Sequence, residues 1–361
     1  MKTPGFACSA GARNRVFESD SSMRKRVYIA YTGGTIGMRK LPDGYTPAPG
    51  YLEEQIAAMP ELKSDSMPEY HIHEYDPLLD SSDMTPADWL KIARDIAEHY
   101  DQYDGFIVLH GTDTMAYTAS ALPFMLRGLK KPVIVTGSQI PLCEVRSDAR
   151  ANLITVMLIA AGFAITEVCL YFGHQLLRGC RSVKVNADGF DAFASPNYPP
   201  LGTIGIEIEI HWNLIMPPPN FSEALQVQEL SESMVGTLRL FPGIPARVVR
   251  NILQPPLKGL VLQAYGVGNA PTQPEFIAAL QAAVDRGVVI VDCTQCLKGT
   301  VSLGDYATGS ALARAGVISG YDMTTEAALA KMFYLFSQNL PIETVKQLMQ
   351  ANLQGELTAP G

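Results

Sequence analysis

Two short segments of this 361-residue chain set hydroxyl groups among glycines in a way that suits catalysis. The first, Thr32-Gly33-Gly34-Thr35-Ile36-Gly37, directly follows the β-rich run Val27 to Tyr31. Glycines at a strand end permit a tight turn and close backbone approach to a ligand, and a hydroxyl among them is exposed rather than packed. A dinucleotide-binding turn would need Gly-x-Gly-x-x-Gly, and here the first two glycines are adjacent; no Walker lysine follows either. The plain alternative is a structural turn. The second segment, His110-Gly111-Thr112-Asp113-Thr114, ends the apolar run Gly105 to Leu109. Its carboxylate could bind a substrate ammonium, and its hydroxyl could attack a carbonyl or position a water if a base takes its proton. Its alternative role is to cap a helix beginning near Met115.

Both segments need strands to hold them. From Val27 onward, short β-rich runs alternate with helical stretches, the pattern of an α/β protein with a largely parallel sheet. Strands are predicted at Val27 to Tyr31, Tyr70 to Glu74, Gly105 to Leu109, Val133 to Thr136 and Val168 to Phe172. Ligands in open α/β sheets sit at the carboxyl ends of such strands. Thr85-Pro86 opens one helix, with proline at its first position; others are predicted at Met115 to Leu126 and Ala149 to Ala161. The run Pro217-Pro218-Pro219-Asn220 fits neither a helix interior nor a central strand and marks a boundary. Beyond it come strands at Val235 to Leu240, Gly259 to Ala264 and Val288 to Val291, and helices at Pro274 to Arg286, Ala307 to Ala315, Thr324 to Ser337 and Ile342 to Gln350. The expected organisation is an extension over 1–22, disordered and dispensable, then a larger N-terminal α/β domain over 23–212. A linker over 213–234 leads to a smaller α/β domain over 235–361.

Composition narrows the function. A net charge of −8 argues against a binder of nucleic-acid phosphates, whose footprint is a basic patch. No apolar run approaches the roughly 20 residues that span a bilayer, so no membrane role is expected. Six cysteines thinly spread through a long chain suit a reducing compartment.

Together the two segments resemble the asparaginase family. Ile29-Ala30-Tyr31-Thr32-Gly33-Gly34-Thr35-Ile36-Gly37 is similar to its first signature, and Gly105-Phe106-Ile107-Val108-Leu109-His110-Gly111-Thr112-Asp113-Thr114-Met115 to its second, in matching order and spacing. Asp80-Ser81-Ser82-Asp83-Met84, Val135-Thr136-Gly137-Ser138-Gln139, Ala187-Asp188-Gly189-Phe190 and Tyr265-Gly266-Val267-Gly268-Asn269 resemble the cytoplasmic, type I bacterial branch. The resemblance runs from Met23 to about Thr358. It implies a cofactor-free, metal-free amidohydrolase that converts L-asparagine to L-aspartate and ammonia through a β-aspartyl ester on a threonine. It further implies catalytic roles for Thr35, Tyr45, Thr112, Asp113 and Lys184, with substrate contacts from Asp80, Ser81, Ser82, Thr112, Asp113 and Asn269. Relatives often carry glutamine at the position of Ser82. A cytoplasmic homodimer or dimer of dimers is implied as well, with Asn269 helping to complete a neighbouring subunit's site.

In the implied order Thr35 attacks first, Tyr45 or a water relays the proton, and a water held near Thr112 releases aspartate. First attack by Thr112 with Lys184 as base, or by water directly, is the rival. A threonine hydroxyl needs a proton acceptor at neutral pH, and amide hydrolysis needs oxyanion donors, worth about 100- to 1,000-fold each. Other chemistry-bearing residues read more plainly. His110 is expected to fix the strand end, and His71 and His73 to serve at a core or edge without completing a metal site. Cys293 and Cys296 have no second Cys-x-x-Cys pair and read as small residues after the strand Val288 to Val291.

Overall fold

Residues Val27 to Tyr31 are all buried, although they alternate in direction along one strand, because that strand is covered on both faces. Tyr28 and Ala30 join a core with the helices Pro86–Glu98 and Met115–Met125. Val27, Ile29 and Tyr31 face the other way, into a core with the helices Tyr51–Ala57 and Ala149–Gly162. Burial on both faces explains why the parallel strands read as continuous apolar runs rather than alternating ones. The computed structural model describes residues 24–42, 44–220, 223–304 and 307–358; the expectation for 1–22 lies outside them.

The larger sheet has eight strands in the spatial order Ile208–Ile210, Gly202–Ile204, Gln175–Arg178, Val168–Phe172, Val133–Thr136, Gly105–Leu109, Arg26–Gly33 and Glu69–Leu79. The last five pair in parallel, and the first three add antiparallel pairing at one side. A second, fully parallel sheet orders Val235–Arg239, Gly259–Ala264, Val289–Thr294 and Ile318–Ser319. The two-domain α/β class expected from the alternation is therefore observed, and the proline run lies in the chain between the sheets. Helix Thr325–Ser337 carries the contact between them: Tyr334 stacks on Phe124 of helix Met115–Met125, with ring centroids 5.7 Å apart.

Most predicted elements appear within a residue or two. The last predicted strand instead runs Val289–Thr294, so Cys293 lies inside it and is buried, while Cys296 is exposed. Both are free thiols, and they are not two residues following the strand together. Unforeseen elements are the hairpin Met38–Leu41 with Gly44–Pro47, the helices Tyr51–Ala57 and Ala246–Ile252, and the antiparallel strands. His73 does sit on an edge strand, where its ring meets the Tyr28 hydroxyl at 2.6 Å and Asp95 at 3.0 Å. No group of His, Cys, Asp and Glu among the described residues is arranged to hold a metal ion.

Two buried ion pairs hold the periphery. Arg178 donates to Glu167 at 2.6 and 3.1 Å and to the Leu214 carbonyl at 2.8 Å, pinning the chain that leads out of the first sheet. Lys331 and Glu356, both inaccessible to solvent, pair beneath the C-terminal segment. Removing one partner of such a pair would leave a lone buried charge, at about 3–5 kcal/mol.

Asp292 is a different case. It is fully buried in the second sheet, and its carboxylate oxygens lack hydrogen-bond partners of good geometry. Burial pushes its carboxyl up to about 8, weakly opposed by the nearby Ala264 backbone. The folded state therefore holds a proton that the unfolded chain releases above its ordinary value of 3.8, so stability falls as pH rises from about 4 to about 8. Asp292→Asn removes this dependence. Its melting temperature should match the wild type near pH 4 and exceed it progressively toward pH 8 in scanning calorimetry. A mutant-minus-wild-type difference that stays constant with pH would contradict the assignment.

Candidate active site

Three adjacent parallel strands end together, and glycines let their tips touch. Gly34 has φ +90°, and a Cβ there would lie 2.4 Å from the Gly111 nitrogen. A Cβ on Gly111 would in turn lie 2.4 Å from Ser81 Oγ. The Thr35, Thr112 and Ser81 segments are thus drawn into one cluster at the carboxyl ends of Arg26–Gly33, Gly105–Leu109 and Glu69–Leu79. Strand-end hydroxyls tie the tips to their neighbours. Thr32 Oγ1 donates to the Leu109 carbonyl at 2.9 Å, and Thr136 Oγ1 to that of Tyr171 at 2.8 Å.

Lys184 closes the cluster from the short pairing of Val183–Lys184 with Phe193–Ala194. Its ammonium donates to Thr112 Oγ1 at 3.0 Å and to Asp113 Oδ1 at 2.8 Å. Thr112 is 8% exposed, and its hydroxyl donates onward to Gln139 Oε1 at 3.2 Å. Asp113 is the more exposed partner, its side chain 68% exposed against 20% for Lys184. An exposed carboxylate paired with a largely covered cation suits a ligand ammonium, while the lysine keeps a donor on the buried hydroxyl.

Thr35 opens a single helical turn, Thr35–Gly37, with its side chain half-buried at the same end of the sheet. Tyr45 lies on the hairpin strand Gly44–Pro47, 45% exposed, and its hydroxyl donates to Glu144 at 2.8 Å. That hydrogen bond is the main cause of a raised Tyr45 pKa. The structure thus joins Thr112, Asp113 and Lys184 directly and brings the Thr35 turn alongside through the Gly34–Gly111 approach, whereas the Tyr45 hydroxyl is engaged with Glu144.

Ser81 is buried, and its carbonyl accepts from Thr114 Oγ1 at 2.6 Å. Ser82 is turned instead to Asp80, donating from its backbone at 2.9 Å and from its hydroxyl at 2.6 Å, which holds the Asp80 carboxyl below its ordinary value. Asn269 belongs to the second sheet's side, in the turn closed by its backbone pairing with Tyr265.

His110, buried completely, is wholly occupied. Nδ1 lies 2.7 Å from the Gly111 carbonyl and so donates, leaving Nε2 to accept from Thr118 Oγ1 at 2.8 Å. Burial lowers its pKa to about 4, so it is neutral at physiological pH and holds the strand tip. Gln139 was not singled out as a site residue in the sequence, yet it anchors Thr112 and spans to the carbonyls of Ala187 and Gly189 at 3.2 and 3.0 Å. Its own backbone is fixed by Asp148 at 3.0 and 3.1 Å. Its place after the strand Val133–Thr136, the next tip along the sheet, is the available signal.

Fold and cluster together define a two-domain α/β hydrolase with threonine, aspartate and lysine at its strand ends, and comparison with known proteins places it. Residues 26–216 match the model of the asparaginase N-terminal domain, and 234–349 that of the glutaminase/asparaginase C-terminal domain, so the chain belongs to the asparaginase family. It is 56% identical over 336 residues to L-asparaginase 1 of Escherichia coli strain K12, covering 93% of this chain and 98% of that one. The crystal structure of L-asparaginase I from Vibrio cholerae is similar with a TM-score of 0.87 and 55% identity, covering 93% of this chain and all of that one. The human 60 kDa lysophospholipase is 46% identical over 357 residues, which cover 93% of this chain and 62% of that longer protein.

The glycine contact yields a test. Gly34→Ala puts a methyl group where the Gly111 backbone already stands, at a φ that alanine resists. It should separate the Thr35 and Thr112 segments and cut turnover about 100-fold, the cost of misplacing reacting groups by roughly 1 Å. Steady-state kinetics on the folded variant check this; wild-type turnover would show that the contact does not set the site.

Proposed function

We propose that the protein is an L-asparaginase, hydrolysing the side-chain amide of L-asparagine to L-aspartate and ammonia. The observation that carries this reading is the Lys184 ammonium held between Thr112 and Asp113 beside the Thr35 turn. The relatives named L-asparaginase match along essentially their whole lengths, which supports the same reaction here.

The chemistry is acyl transfer in two steps. Asp113 takes the α-ammonium of the substrate, and the Asp80 to Ser82 turn takes its α-carboxylate side, which leaves the amide over Thr35. Thr35 Oγ1 attacks the amide carbon, and its proton passes through Tyr45 or a water to the departing nitrogen, so ammonia leaves and a β-aspartyl ester remains. For Tyr45 to take part, its hydroxyl exchanges Glu144 for the substrate side, a movement suited to an exposed hairpin. Backbone N–H groups at the glycine-rich tips meet the developing oxyanion. Water held by Thr112 and Lys184 then cleaves the ester. Asn269 is the candidate contribution to the site of a neighbouring copy in a dimer or dimer of dimers, and the cytoplasm is the compartment that fits the thinly spread cysteines. On this reading the catalytic unit spans 23–212, and 235–361 is its smaller companion.

Ammonia release from L-asparagine by the purified chain tests the activity. Thr35→Ala should lower kcat about a thousandfold or more, as should Lys184→Met. No ammonia from asparagine, or near-normal kcat in Thr35→Ala, would overturn the reading.

A further inference from the structure

The strand that carries Lys184 is short: Val183–Lys184 pairs with Phe193–Ala194, and the Val185 and Asn186 N–H groups continue the pairing to the Ala192 carbonyl at 2.8 and 3.3 Å. Three residues before Lys184 stands Arg181, whose side chain is only 2% exposed and carries no contact to the reacting cluster. Each of its donor nitrogens is spent on the second half of the molecule. Nε donates to the Gly355 carbonyl at 2.7 Å, Nη1 to Asp322 Oδ2 at 2.8 Å and Nη2 to Thr358 Oγ1 at 3.0 Å. The guanidinium also lies over the Tyr198 ring, 5.3 Å from its centroid.

Asp322 is the hub of this contact. Its other carboxylate oxygen accepts the Thr358 N–H at 2.7 Å, and its carbonyl accepts Asn197 Nδ2 at 3.1 Å. Asn197 Oδ1 then accepts the Gly299 N–H at 2.9 Å. The C-terminal segment is itself fixed by the buried Lys331–Glu356 pair and by Glu356 accepting the backbone N–H groups of Leu353 and Gln354.

On the other side, the turn Gly179–Arg181 is pressed on the helix that follows Thr112 and Asp113. A Cβ on Gly179 would lie 2.4 Å from the Ala119 carbonyl oxygen, and the Gly179 carbonyl is closed down by Ser182 Oγ at 2.7 Å. The turn is therefore gripped between helix Met115–Met125 and the C-terminal segment, and only Ser182 and Val183 separate it from Lys184.

We propose that Arg181 is a positioning residue for the hydrolysis: anchored by Asp322 and the 355–358 segment, it sets where the Lys184 ammonium stands relative to Thr112 and Asp113. The second domain and the C-terminal segment thereby act on the chemistry without touching substrate. The inference rests on the role given to Lys184 above. A planar guanidinium is needed because three acceptors in different directions are met at once, which an ammonium on a flexible stem cannot reproduce.

The test uses the full chain with kcat, KM and the pH profile of kcat measured on variants shown to be folded at the assay temperature. Arg181→Met should lower kcat about 10- to 100-fold with KM for L-asparagine little changed, and should shift the pH profile because Lys184 no longer meets Thr112 at the same distance. Arg181→Lys should rescue only part of the loss. Should Arg181→Met fail to fold, Thr358→Val and Asp322→Asn, which each remove part of the anchor, carry the same expectation in milder form. Folded variants with wild-type kcat and pH profile, or losses that follow only the folded fraction, would overturn the proposal. Lys184→Met run in parallel separates the two claims. Loss there with none in the Arg181 series sinks this inference alone, whereas wild-type kcat in Lys184→Met sinks the role of Lys184 itself.

Discussion

The site depends on a steric constraint: the ends of three neighbouring strands approach so closely that neither glycine between them has room for a Cβ. Gly34 lies backbone to backbone against Gly111, and the Gly111 backbone lies against the Ser81 side chain. Hydrophobic burial on both faces of the sheet supplies the driving force that presses the strands together, but it is non-directional. The glycines convert that pressure into a defined approach of the Thr35 turn to the Gly111–Thr112 segment. The hydroxyls of Thr32 and Thr136, each donating to the next strand's carbonyl, hold the placement from below.

Electrostatics then distinguishes the members of the cluster. Asp113 faces solvent and is available to a charged substrate, Lys184 is mostly covered and bridges it to Thr112, and His110 behind them is neutral and fully bonded. Three buried charges elsewhere each have a specific partner, Arg178 with Glu167, Arg181 with Asp322 and Lys331 with Glu356. Those pairs lie where the chain leaves one sheet or docks on the other. Their contribution is to fix a geometry more than to add stability, since a buried pair gains little over well-packed apolar side chains.

Much of this was legible in the sequence. Strands buried on both faces announce themselves as apolar runs, and the two hydroxyl-and-glycine segments sit at their ends because the site needs them there. Less legible was whatever depends on contacts far apart in the chain. The antiparallel strands Gln175–Arg178 and Gly202–Ile204 are short and carry no strong alternation, so their pairing is decided by the sheet edge they meet. Gln139 shows no chemistry of its own until Thr112, Ala187 and Gly189 surround it. The hairpin bearing Tyr45 contains proline and glycine and reads as a loop, yet it pairs over four residues. The strand through Cys293 continues past the polar Asp292, which sequence patterning treats as a stop and the fold buries.

In the proposed division of labour, Thr35 carries the acyl group while Thr112 and Lys184 manage the water that releases it. The most direct measurement is acid quench of Lys184→Met during turnover of L-asparagine, followed by peptide mass spectrometry. A β-aspartyl ester should accumulate on the peptide containing Thr35. An ester on the Thr112 peptide, or turnover with no ester on either threonine, would contradict that division.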